Sequence, residues 1–200
     1  MALMNRPLHQ KHATDAAKAR ALRGFTLLEM LIVMGIVGIL MAIAVPSYKY
    51  FSNSNRITAE VNGLLGDLQF ARSEAIKEGQ TVSVCVANTG ATGCVTGATN
   101  WQSGWIVFSD VNGDGVVEPG DLILRAQSAF SGTDTFKENT ATPVTFNREG
   151  FAPIVTGSGV LFTLHAATPA TGSTRCLNLT MIGLMTVQTS GQTYNALTCT

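Results

Sequence analysis

From Phe25 to Val45 the chain runs for 21 residues with a single charged side chain, Glu29. As a helix rising 1.5 Å per residue, this stretch spans roughly 30 Å, the thickness of a bilayer core. No other segment constrains the fold so tightly. The formal charge of the whole chain is zero, and the total conceals a split. Residues 1–24 hold Arg6, Lys11, Lys18, Arg20 and Arg23 against Asp15, a balance of +4, so residues 25–200 carry −4. A basic flank ahead of an apolar stretch stays in the cytoplasm, and the chain beyond the stretch is exported. An ordinary secretory signal has a shorter apolar region and a small-residue cleavage site after it. Here the stretch instead ends in Pro46-Ser47-Tyr48-Lys49-Tyr50, with two aromatic anchors for an interface. Only 13% of residues are charged and 46% are apolar. That composition argues against a disordered chain and against a globally basic nucleic-acid binder.

Glu29 is costly inside a membrane and calls for a partner; a headgroup contact is the plainer alternative. Gly24-Phe25-Thr26-Leu27-Leu28-Glu29 ahead of an apolar helix resembles the class III signal of type IV prepilins and pseudopilins. The resemblance implies cleavage after Gly24 by a prepilin peptidase and N-methylation of the new first residue, Phe25. It also implies that Glu29 pairs with the N-terminal amine of a neighbouring subunit. The physics agrees: the new cation on Phe25 needs a carboxylate where water is scarce.

Beyond the span, Pro46 removes a backbone donor and is expected to kink the helix. Ile57, Val61, Leu64, Leu65, Leu68, Ala71, Ala75 and Ile76 then recur at spacings of three and four, an amphipathic stripe that predicts a core-facing helix ending at Gly79. The remainder alternates short apolar runs with Gly, Thr, Ser and Asn clusters. Strands are predicted at 81–87, 105–109, 122–126, 143–146, 160–165, 176–180 and 185–188. The expected class is α+β, a long helix packed on an antiparallel sheet or small sandwich. The expected parts are 1–24 as a removed leader, 25–45 as a transmembrane and assembly helix, 46–78 as its exported half, and 79–200 as a β-rich periplasmic domain.

The succession Leu68-Gln69-Phe70-Ala71-Arg72-Ser73-Glu74, Gly104-Trp105-Ile106-Val107-Phe108, Thr145-Phe146-Asn147-Arg148-Glu149-Gly150 and Arg175-Cys176-Leu177 is similar to the GspH/FimT group, on its minor-pilin side. The resemblance implies a pilin-like fold and a single-pass inner-membrane protein that enters a pilus fibre at its tip. It implies a role in priming assembly, adhesion and twitching motility. Implied partners are major and minor pilins through the N-terminal helix, the prepilin peptidase, the inner-membrane assembly platform, and membrane lipid before assembly. A type II secretion pseudopilin is the alternative. Some members bind DNA through Gly-Arg-x-Arg, but the matching positions here read Gly183-Leu184-Met185-Thr186. With an acidic mature balance as well, no direct nucleic-acid binding is expected.

Cys85, Cys94, Cys176 and Cys199 all lie on the exported, oxidising side. Three pairings are open, and proximity in sequence favours Cys85–Cys94 with Cys176–Cys199. Asp110, Asn112, Asp114 and Asp121 fall at EF-hand loop positions one, three, five and twelve, with Gly115 at the turn. The flanks read as strands where an EF-hand needs helices, so a hairpin turn is the preferred reading and calcium the alternative. No cofactor and no catalytic residue are expected. His9 and His12 lie in the leader, His165 reads as structural, and no G-x-S-x-G, phosphate loop or H-E-x-x-H occurs.

Overall fold

A computed structural model describes residues 24–167 and 174–200. Residues 1–23, read above as part of a leader and holding His9 and His12, lie outside the described residues. The chain divides into two units between Ala44 and Val45.

Helix α1 runs Leu27–Glu78 and contains Pro46. Its first hydrogen bonds come from Thr26, which caps the end: the Glu29 amide donates to Thr26 Oγ1 at 3.1 Å and the Met30 amide to the Thr26 carbonyl at 3.2 Å. In the first unit every described residue is exposed.

In the second unit, Ile57, Val61, Leu64, Leu68, Ala71 and Ala75 are fully buried along one face of α1. Ile76, read as the end of that stripe, is instead 52% exposed. It follows Ala75 by 100° around the helix and so points away from the buried face.

Two four-stranded antiparallel sheets share this helix face. The first is built from β1 (Val82–Val86), β2 (Gly104–Ser109), β3 (Ile123–Ser128) and β5 (Val144–Phe146), in the order β3-β2-β1-β5. The second contains β4 (Thr135–Glu138), β6 (Val160–His165), β7 (Arg175–Leu179) and β8 (Met185–Thr189), in the order β4-β6-β7-β8. A short hairpin, β9 (Thr193–Tyr194) with β10 (Leu197–Thr198), completes the chain.

One apolar cluster joins the α1 stripe to inward residues of both sheets, among them Val84, Trp105, Phe146, Phe136, Phe162 and Leu177. Aromatic edges lock it, with Trp101 meeting Phe162 at 5.0 Å between centroids. Strand β1 is buried along its whole length, because its outer face is covered too. Cys85, Ile106 and Phe108 form a second cluster there. A third, of Leu161, Cys176 and Cys199, lies on the second sheet. The fold is therefore a long apolar helix packed through its second half against antiparallel sheets.

Candidate assembly site

The N-terminal residues singled out by the sequence all face solvent. Phe25 is 71% exposed, and Gly24 and Glu29 are exposed beside it. Glu29 lies in the first turn of α1, where the unpaired amides of the helix end carry partial positive charge and favour a carboxylate. Thr26-x-x-Glu29 is the sequence pattern of a capping box, and the structure holds its Thr26 half. From Leu27 to Val45 the large apolar side chains are 41–84% exposed. Among the described residues, α1 is the one helix long and apolar enough to cross a membrane. Nothing within the described residues covers that surface.

The second unit ties down its own loops. Disulfides join Cys85 to Cys94 and Cys176 to Cys199. The first ties the residue 87–98 loop to the outer face of one sheet, and the second ties the C-terminal hairpin to the other. The loop holding Asp110, Asn112, Asp114 and Asp121 spends its carboxylates on backbone amides. Buried Asp110 accepts from Gly113 and Gly115 at 2.7 and 2.8 Å and from the Ser83 hydroxyl at 2.6 Å. Asp121 accepts from the amides of Val111 and Glu118, and Asp114 from that of Val116. Asn112 donates to Asp114 and Glu118. Among the described residues no group of three or more His, Cys, Asp or Glu side chains is placed to hold a metal ion.

Several polar contacts between α1 and the sheets lay beyond sequence reasoning. The Arg56 guanidinium sits within 2.8–2.9 Å of both oxygens of buried Asp134. Glu60, one turn further on, feels the same carboxyl. Burial first, and then the Asp134 charge, push it up to about 7 against the opposing pull of Arg56. Asp67 receives the Trp105 indole N–H at 2.9 Å and Arg125 at 3.0 Å, while Arg125 also lies over the Phe70 ring. Arg148 pairs with Glu149. Arg125 and Arg148 are thus each paired with a carboxylate. His165 is exposed at the end of β6, with its Nδ1 3.2 Å from the Thr174 hydroxyl.

Comparison with known proteins respects the same division. Residues 20–45 match the family model described as "Prokaryotic N-terminal methylation motif". Over 63 residues the chain is 40% identical to a "Fimbrial protein" of Pseudomonas aeruginosa, covering 32% of this chain and 40% of that one. Over 62 residues it is 47% identical to the "Type IV major alpha-pilin" of Moraxella bovis, covering 30% and 38%. The chain thus spans about 40% of the length of these curated relatives. Among solved structures, the type IV minor pilin FimU of Pseudomonas aeruginosa has the same fold, with a TM-score of 0.52 at 23% identity over 69% of this chain and 92% of that one. The model described as "Type II transport protein GspH" matches residues 60–183, more than half of the sequence. The chain therefore belongs to the GspH family, as a type IV minor pilin or pseudopilin of the GspH/FimT group.

Proposed function

We propose that this protein is a minor pilin of a type IV pilus, cleaved after Gly24 and N-methylated on Phe25. Residues 25–45 hold it in the inner membrane with residues 46–200 in the periplasm, 46–78 as the exported half of the helix and 79–200 as the β-rich domain. The same apolar helix then packs among other pilins. The carrying observation is the pairing of a self-contained exported unit with a helix half whose apolar side chains, from Leu27 to Val45, have no cover among the described residues. Buried among neighbouring helices, that surface drives assembly, and Glu29 sets register by meeting the amine of an adjacent subunit. Prepilin peptidase and the inner-membrane platform are the machinery this route requires. Its place is at the pilus tip, priming assembly in support of adhesion and twitching.

The GspH description favours a second reading, a minor pseudopilin of a type II secretion system. Two disulfides in the exported unit support the pilus, since they suit a domain exposed beyond the cell. Direct DNA binding is the weakest reading, because Leu184 and Thr186 stand where the DNA-binding members carry arginines. Deleting the gene and scoring surface pili beside exoprotein secretion separates the first two. Loss of pili with normal secretion is the expected result, and normal piliation with lost secretion overturns it.

A further inference from the structure

Between the second half of α1 and the chain leaving β3 lies a cleft of about 350 Å³. Arg56 and Glu60 line it from the helix, with Trp105 of β2 and Phe130 beyond β3 also in the lining. The two rings meet edge to face at 6.0 Å between centroids, which gives the cleft an aromatic wall. The strongest donors around it are engaged elsewhere. The Trp105 indole N–H goes to Asp67 at 2.9 Å, and the Gln127 side-chain amide to the Ser128 carbonyl at 3.2 Å. Arg56 is held within 2.8–2.9 Å of Asp134, which is only 2% exposed. Glu60 Oε2, by contrast, is buried and accepts no hydrogen bond among the described residues.

The charges around the cleft define what would complement it. Arg56 on α1 balances Asp134 ahead of β4, and Asp67 on α1 pairs with Arg125 of β3. Glu60 is left as one surplus negative charge. Its carboxyl is pushed up to about 7, first by burial and then by Asp134, the behaviour of a carboxylate short of donors. An anion does not fit, because recruiting Arg56 would strand the buried Asp134 charge. A divalent metal wants several oxygen ligands, and among the described residues no group of three or more His, Cys, Asp or Glu is placed to hold one. A primary ammonium supplies N–H donors and one positive charge together, and its hydrocarbon stem suits an aromatic wall. We propose that this cleft binds a small primary amine, its ammonium on the Glu60 carboxylate and its stem along Trp105 and Phe130. The site is the same whether the chain serves a pilus or a secretion system.

The test uses the full chain in detergent, with benzylamine as the probe and the indole N–H signal of Trp105 in NMR as the reporter. At pH 8 benzylamine should shift that signal to saturation at millimolar concentration, while benzyl alcohol, which lacks the charge, should not. Lowering the pH to 6 should weaken binding about tenfold, because Glu60 then holds its proton in roughly nine molecules of ten. Glu60→Gln should weaken binding at pH 8 by at least about tenfold and remove the pH dependence, with no fall in thermal midpoint. Gly63→Leu is the steric arm. Gly63 lines the cleft, and a Cβ there would meet no atom within 4 Å. Leucine also suits a helix better than glycine, so this variant should fold, fill the cleft and lose the shift. Equal shifts with benzyl alcohol, equal affinity at pH 8 and pH 6, or binding that survives either variant would each overturn the proposal. So would a Trp105 signal that benzylamine leaves unmoved at pH 8.

Discussion

The two halves of α1 are equally helical and put their apolar side chains to opposite uses. Between Ile57 and Ala75 six apolar residues are wholly buried against the two sheets. Between Leu27 and Val45 none is buried. Each half also carries a glutamate of different standing. Glu29 is exposed in the first turn, while Glu60 is partly buried against Asp134. One half completes a core inside the chain, and the other leaves its completion to the surroundings. The lesson is that helix formation and burial are separate requirements, and that an exposed apolar face of this length marks an unfinished interface.

The sharpest way to break this comparison is to truncate one large side chain in each half. Leu68→Ala should cost the exported domain about 2–5 kcal/mol, since a fully buried leucine leaves a cavity. Ile36→Ala should leave the thermal denaturation of the same domain unmoved. Equal effects in the two would end the distinction.

Next come the staples that make the exported half self-sufficient. Replacing Cys176 and Cys199 by serine should cost about 3.5 kcal/mol, and replacing Cys85 and Cys94 about 2.5 kcal/mol, because the first pair closes the longer loop. The sequence separations are 23 and 9 residues. Urea unfolding of the two double variants tests both the size and the order.

The two glutamates give the third comparison. Glu60 is raised from 4.5 to about 7 in the folded protein, so between those values the folded state binds more protons than the unfolded one. Stability should therefore fall as pH rises from about 4.5 to about 7 and level off above. Glu60→Gln should flatten that slope and stabilise the domain at pH 8 by on the order of 1 kcal/mol, discounted for its half-exposed, solvent-screened position. Glu29→Gln should instead abolish assembly, read as subunits retained in the membrane. A pH profile unchanged by Glu60→Gln would show that the cluster with Asp134 is not what couples the domain to protons.

The smallest effect concerns the loop at Asp110. Its carboxylates already accept backbone amides, so 1 mM calcium should move the thermal midpoint by less than ~1 °C. A larger rise would show that the exported half also depends on something outside the chain.

Much of this architecture is written locally. The apolar span, the stripe on α1 and seven of the strands are legible from periodicity, because each is a run long enough to show its period. What escaped did so for physical reasons. Strand β4 is four residues long, and its inward positions are Phe136 and Glu138, so the alternation reads as charged. Glu138 is buried only because the Trp101 indole N–H, 2.8 Å away, and the Thr140 hydroxyl donate to it. Strands β9 and β10 have two residues each, too few to carry a pattern. The candidate assembly residues Gly24, Phe25 and Glu29 stand together in one short motif. The Arg56, Glu60 and Asp134 cluster was not legible, since Asp134 stands 78 residues from Arg56 in sequence and only tertiary contact unites them. Ile76 is apolar and adjoins the stripe in sequence, but it stands 100° around the helix from Ala75 and is exposed.

Strand β4 also governs how the exported unit can be made. It belongs to the second sheet, yet it precedes β5, the edge strand of the first. A chain delivered N-terminus first must therefore leave β4 without its neighbour until β6 arrives, while β5 goes back to close the earlier sheet. Neither sheet is a contiguous stretch of sequence. No cut between them yields a smaller folded piece, so the unit should assemble in one concerted step, late and all at once.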